Sequence, residues 1–228
     1  YRPLDIDYDR YVTIKNHLRK NKYNPKKLYD KSMFNVVDVG FNSIFLKANK
    51  DLLELLKSFN LEHNKLQKFI LKSENKIEKL FDPKKGVFIN YDIKNKKKII
   101  VPSITNYFIL FADLKNQLIN KKIIKNLKNH NQHERYLFSS IKPNYGKFEE
   151  KRYWRGPVWI NCNWIIYQGL KNKDKKFADK IKEKTINLIK KNGFYEYYSF
   201  KTGEAFGANN FSWTASLFLD LLMEKKYN

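Results

Sequence analysis

The sequence predicts an all-α chain of helical hairpins, with short β pieces only near 86–101 and 194–198. Three observations predict it. Apolar residues recur at three- and four-residue spacing in segment after segment, the period of a helix with one buried face. Cap and stop signals bracket those segments: Ser103 and Asp38 ahead of apolar runs, Asp82-Pro83 and Asn192-Gly193 behind them. A hydrophobic content of 42% and an aromatic content of 16% over 228 residues suit a single domain, 1–228, with a sizeable core.

The elements follow in order. Asp5, Asp7 and Asp9 alternate in DIDYDRY and read as ordinary helix-start acids, because the Gly and distal Glu of a calcium loop are missing. Phe41, Ile44, Phe45, Ala48, Leu52, Leu55, Leu56 and Phe59 mark a five-turn helix whose core face they should form. A second helix runs from Leu61 to Phe81. VFINYD and IIVPS flank the charge run KNKKK at 94–98, which reads as a hairpin tip. Further helices are expected near 103–118, 120–128, 157–171, 174–191 and 211–225, with Pro157 in the first turn of the third of these. The loops 141–156 and 193–211 are long and aromatic, which in a compact domain marks function.

Composition excludes several classes. The net charge of +23 invites a nucleic-acid reading, but only six of the 46 basic residues are Arg. Lys is spread along nearly every segment, beside 26 Asn and 21 Ile, so it is expected to solvate the surface; base readout and phosphate clamping favour Arg. No specific nucleic-acid partner is expected. No run of about 18 apolar residues exists, so no membrane span is expected. The charged YRPLDIDYDRY is not read as a signal peptide. Cys162 is the only cysteine, which suits a reducing, cytoplasmic location. His130 and His133 find no third ligand, and no P-loop, dinucleotide fingerprint or nucleophile elbow occurs. Neither a metal nor a cofactor is expected; the oligomeric state stays open.

Two stretches carry the chemistry. RYWRGPVWINCNW at 152–164 holds three of the four tryptophans beside a Gly-Pro pair. Trp154 and Trp159 are candidate platforms for the C–H faces of a sugar, whereas Trp164 belongs to the helix body and the core. In GFYEYYSFKTGEAFGANNFSW at 193–213, alternation turns Phe194, Glu196 and Tyr198 to one face. A carboxylate among aromatic rings is partly desolvated and suited to proton transfer, which makes Glu196 the candidate catalytic group. Glu204, in a turn-like KTGEAFG, reads as a loop carboxylate. Together these residues suggest a carbohydrate site.

YWRGPVWINCNWIIYQGL at 153–170 and GFYEYYSFKTGEAFGANNFSWTASLFLDLL at 193–222 resemble the catalytic domain of glycoside hydrolase family 63, in its mannosylglycerate and glucosylglycerate hydrolase branch. YRPLDIDYDRY and VVDVGFNSIFLKANKDLLELLK resemble the same branch, in the same order. The resemblance implies an (α/α)6 toroid around a central pocket and hydrolysis of an α-glycosidic bond with inversion. It implies Glu196 as general base, Trp154 and Trp159 as sugar-stacking rings, Arg2 and Tyr8 as substrate contacts, and an amide at Asn210. An Arg fork would suit a glycerate carboxylate. The family's general acid is an Asp in a segment that precedes the counterpart of YRPLDIDY. No substitute motif occurs here; Asp38 reads as a helix cap. The expectation is therefore the C-terminal part of an incomplete toroid with a small carbohydrate substrate. The alternative is a non-catalytic helical carbohydrate-binding or scaffold protein.

Overall fold

The computed structural model describes residues 3–130 and 137–224. Eight α-helices dominate the described residues: α1 (Asp5–Lys20), α2 (Pro25–Lys31), α3 (Val39–Ser58), α4 (Asn64–Ile77), α5 (Gln117–His130), α6 (Ile160–Leu170), α7 (Lys175–Asn192) and α8 (Ser212–Met223). Short strands sit between them: β1 (Val36–Val37), β2 (Phe81–Asp82), β3 (Val87–Phe88), β4 (Asn90–Asp92), β5 (Lys97–Ile99), β6 (Tyr197–Tyr198) and β7 (Ala205–Phe206). They pair antiparallel as β1-β4-β5, β2-β3 and β6-β7.

Caps set the helix boundaries. Asp38 accepts the Phe41 N–H at 2.6 Å ahead of α3, and Asp174 accepts the Phe177 N–H at 3.2 Å ahead of α7. Gly193, at φ +83°, ends α7. The lysine run at 94–98 forms a hairpin tip and enters β5 at Lys97: Asp92 accepts from the Asn95 N–H at 2.9 Å and from its side-chain amide at 2.7 Å.

The helices pack in series. α3 lies against α4 and against a 3-10 helix, Ile104–Leu110; the 3-10 helix lies against α6, and α6 against α7 and α8. The expected α-helix over 103–118 is thus replaced by a 3-10 segment, and α5 begins at Gln117. The 3-10 residues are buried almost throughout, so packing by α3 and α6 overrides helical periodicity there. Backbone meets backbone at Gly169 of α6, where a Cβ would lie 2.6 Å from the Phe111 nitrogen. Lys50 fastens α3: its Nζ sits 2.5 Å from Oε1 of buried Glu74 and donates to the Ala112 and Asp113 carbonyls at 2.8 and 2.7 Å. Among the described residues no helix is long and apolar enough to cross a membrane.

The structure corrects the expected core face of α3. Its buried positions are Val39, Gly40, Ser43, Leu46 and Leu53. Phe41, Ile44, Phe45, Ala48, Leu52, Leu55 and Phe59 face outward instead. The physical reason is that α3 is apolar on two faces, and periodicity cannot say which of them this chain covers.

His130 closes α5, buried edge-on between Tyr107 and Phe138. Burial first, and Lys142 second, lower its pKa to about 4. A depressed imidazole pKa means the unfolded chain takes up the proton first as pH falls. The stability it contributes is present above the unfolded value near 6.5 and is lost as pH falls toward 4. Urea unfolding at pH 7 and pH 5 should differ by about 2 kcal/mol through this group, an increment that His130→Phe should remove.

Candidate active site

The site begins with a backbone pairing. Val158 donates its N–H to the Tyr198 carbonyl at 2.8 Å and accepts the Tyr198 N–H at 3.0 Å. On its other side Val158 bridges Ser139, and the Ser140 N–H donates to the Pro157 carbonyl at 2.9 Å. Pro157 and Val158 are therefore extended, and α6 starts at Ile160 with Trp159 as its N-cap. That corrects the expected start at Pro157. A one-residue pairing thus joins the 141–156 loop to the 193–211 loop.

Within the first loop the chain doubles back tightly. Glu149 N–H donates to the Arg155 carbonyl at 2.7 Å, and a Cβ on Gly156 would fall 2.0 Å from the Glu149 carbonyl oxygen. Only glycine fits there. The turn delivers Tyr153 and Trp154 beside Trp159. Trp154 stacks on Trp159 with centroids 4.1 Å apart and planes 7° from parallel. Trp159 also stacks on Tyr197 at 5.1 Å, and its indole N–H donates to the Tyr153 carbonyl at 2.8 Å. Tyr153 stands edge-on to Trp159 and Tyr197, at 5.0 and 5.6 Å. Trp154 is 46% exposed and Trp159 only 2%, so the two candidate platforms differ in place: Trp154 offers a surface and Trp159 lies in the cluster that holds it.

Glu196 lies at the rim of this cluster, 5% exposed. Its Oε1 accepts the Tyr153 hydroxyl at 2.8 Å, and its Oε2 accepts the Ala208 N–H at 3.2 Å. Its own N–H donates to the Ala208 carbonyl at 3.0 Å, so both backbone and side chain are fixed to the return strand. Gly207 makes that approach possible: at φ +75°, a Cβ would sit 2.6 Å from Glu196 Oε2 and 2.7 Å from the Tyr197 ring. Sequence reasoning missed this arrangement. The glycine in EAFGANN is visible as a turn signal, but its nearness to a carboxylate about ten positions earlier in the chain is not.

The other expected residues lie on separate elements. Asn210 is exposed at φ +50°, two positions beyond Ala208. Tyr8 is half-exposed on α1, edge-on to Tyr11 at 6.1 Å. Its neighbour Asp7 accepts from Arg152 Nη2 at 3.1 Å, which ties α1 to the tryptophan loop. Arg2 and His133 lie outside the described residues. Glu204 is exposed, 3.8 Å from Lys151. Trp164 is partly buried against Phe111 and donates to Asp220 Oδ2 at 2.7 Å. No cluster of three metal-ligating side chains occurs among the described residues.

A cavity of about 1140 Å³ opens elsewhere, between α6, α7 and α8. Part of its lining is spent on internal pairs: Glu224 accepts from Tyr167 and lies 3.0 Å from Lys171 and 3.5 Å from Lys182. Burial, then the Glu224 contact, raises the Tyr167 phenol above its ordinary range. Neutralised ion pairs make a poorer site than an oriented carboxylate beside an exposed indole.

Known proteins share this arrangement of chain. The profile of the mannosylglycerate hydrolase MGH1-like glycoside hydrolase domain matches residues 1–214. A mannosylglycerate hydrolase of Thermus thermophilus is 35% identical over 219 residues, covering 96% of this chain and 53% of that protein. The crystal structure of the family 63 mannosylglycerate hydrolase from Thermus thermophilus, in complex with Tris and D-glycerate, superposes with a TM-score of 0.91. It is 35% identical, over 96% of this chain and 53% of that one. Neutral trehalase Nth1 from Saccharomyces cerevisiae, at 16% identity, shares the fold with a TM-score of 0.68 over 85% of this chain and 38% of its own. The chain spans about half the length of the curated relatives it matches. It belongs to the mannosylglycerate hydrolase MGH1-like glycoside hydrolase family.

Proposed function

We propose that the chain is the C-terminal portion of an inverting α-glycoside hydrolase that acts on a small glycoside such as mannosyl- or glucosylglycerate. The observation that carries this reading is Glu196: both carboxylate oxygens are held by donors, Tyr153 and Ala208, beside the exposed ring of Trp154. Family membership supports it.

In this reading Glu196 is the general base. It takes a proton from water as the water oxygen bonds to the anomeric carbon. The bond to the leaving oxygen breaks on the opposite face, and that oxygen receives its proton from an Asp that these 228 residues do not supply. The two carboxyl groups would stand about 6.5–9.5 Å apart, leaving room for the water. A carboxylate oxygen accepts more than one hydrogen bond, so orientation of Glu196 by Tyr153 and Ala208 is compatible with its binding the water as well. Trp154 covers one face of the sugar, and Trp159 and Tyr197 keep its ring in place. Arg2, Tyr8 and Asn210 belong to the substrate contacts, with Arg2 toward the glycerate carboxylate.

Expressed by itself, the 228-residue chain should hydrolyse mannosylglycerate at background rates, and robust turnover would overturn the assignment of the acid. In a version extended N-terminally through the acid-bearing segment, Glu196→Gln should lower kcat by about a thousandfold and leave KM within a few-fold. Unchanged turnover would remove Glu196 from the mechanism, whereas an extended wild-type protein that binds the glycoside without hydrolysing it would make this a binding protein. Gly207→Ala adds a methyl at a positive φ and against Glu196; thermal unfolding should show a loss of about 2 kcal/mol or more.

A further inference from the structure

Arginine is scarce in this chain, six of 46 basic residues, yet three of the six gather in one place. Arg10, Arg152 and Arg155 alternate with Asp7 and Glu149 in a continuous line of ion pairs. Asp7 Oδ1 lies 3.2 Å from Arg10 Nη1, and its Oδ2 accepts from Arg152 Nη2 at 3.1 Å. Arg152 Nη1 stands 3.6 Å from Glu149 Oε2, and Glu149 Oε1 accepts from Arg155 Nη2. Elsewhere the cation is lysine, as in Lys50–Glu74 and Lys128–Asp174. The difference is physical. The two ends of one planar guanidinium reach two carboxylates at once and fix the angle between them, which an ammonium on a flexible stem does not.

The two carboxylates that Arg152 bridges belong to different parts of the chain. Asp7 is in the first turn of α1, where its Oδ2 also accepts the Leu4 N–H at 3.1 Å and so fixes the helix start. Tyr8, the expected substrate contact, is the next residue. At the other end Arg152 adjoins Tyr153, whose hydroxyl holds Glu196, and Trp154, the exposed ring. Tyr153 stands at φ +21°, a conformation that non-glycine residues rarely adopt, so this turn keeps its shape only through contacts on either side. The pairs of Arg152 and Arg155 with Glu149 flank it. The side chains of Asp7 and Arg152 are largely covered, which shields their pair from screening by salt.

We propose that Arg152 is a positioning residue for the reaction: through Asp7 it sets the first turn of α1, and with it Tyr8, against the turn that carries Trp154. The inference rests on the proposed hydrolase reading, and it gives one acid of DIDYDRY a role beyond starting a helix. The Arg152 guanidinium is engaged by Asp7 and Glu149 and acts through them. Glu196 keeps its own anchors, Tyr153 and Ala208, when the bridge is broken. Loss of the bridge therefore displaces the groups that hold the substrate and leaves the proton-transfer group in place. It weakens ground state and transition state alike, which raises KM and spares kcat.

The test is steady-state kinetics on mannosylglycerate with the N-terminally extended protein. Asp7→Asn and Arg152→Gln should each raise KM by about tenfold or more and leave kcat within about threefold. The double variant should be no worse than the more affected single one, because both changes remove the same bridge. Arg152→Lys keeps the charge without the fork and should behave as Arg152→Gln does. Arg19→Gln takes a positive charge from the exposed far end of the same helix and should leave KM unchanged. In the 228-residue chain, Asp7→Asn should lower the unfolding midpoint by no more than about 4 °C, the loss of one surface pair.

Unchanged KM in Asp7→Asn and Arg152→Gln overturns the inference, as do effects that multiply in the double variant and wild-type kinetics in Arg152→Lys. A fall in kcat at constant KM, or a larger loss of stability, also overturns it by making the pair catalytic or merely structural. Calorimetric binding of mannosylglycerate keeps the two readings apart. An extended protein that binds the glycoside without hydrolysing it removes the catalytic reading; about tenfold weaker binding in Asp7→Asn then supports the bridge, and equal binding overturns it. Hydrolysis with unchanged KM in both variants removes the bridge and leaves the hydrolase. Neither hydrolysis nor binding by the extended protein overturns both.

Discussion

The candidate site depends on one reciprocal backbone pair, Val158 with Tyr198. It is the shortest possible piece of sheet, yet it fixes two loops that lie about forty residues apart in sequence. Because neighbouring side chains on an extended strand point to alternate faces, pairing at 158 and 198 settles where residues 159 and 197 go. Trp159 and Tyr197 then stack, Tyr153 stands edge-on to both, and the tyrosine hydroxyl reaches Glu196. The rigidity of a site built on loops comes here from aromatic packing and from a hydrogen-bond pair between two fully buried residues.

A second constraint acts on the same carboxylate from the other side. The return strand can lie against Glu196 only because residue 207 has no side chain. Gly156 does the same for the tryptophan loop, and Gly169 for α6 against the 3-10 segment. Each of these glycines lets two segments approach more closely than a side chain would allow. A catalytic geometry that must hold to within about half an ångström is sensitive to such spacing.

Much of this is legible in the sequence. The helix cap at Asp38, the stop at Gly193 and the hairpin tip that begins at residue 94 follow from local hydrogen bonding, which a few adjacent residues determine. The two aromatic loops are legible as the place where chemistry gathers. What is not legible is long-range. The 3-10 winding of Ile104–Leu110 is imposed by neighbours on both sides. The displaced start of α6 comes from a strand partner about forty positions away, against the local preference of Gly156-Pro157. The covered face of α3 escapes the sequence because a helix with two apolar stripes satisfies the same periodicity whichever one is buried. Among the candidate site residues, Glu196 and Trp154 are found from their surroundings in sequence, whereas the Tyr153 hydroxyl and Gly207 emerge only once the loops are folded together.

The dispersed lysines bear on how the molecule behaves in company. A surface with 46 basic and 23 acidic side chains holds identical molecules apart, which matters for a chain that shows leucine and phenylalanine stripes to water. That repulsion works over roughly 10 Å at about 0.1 M salt and shrinks as salt is added. Lysine abundance, uninformative about what the protein recognises, therefore acts as a colloidal guard for exposed hydrophobic surfaces, and its protection weakens in concentrated electrolyte.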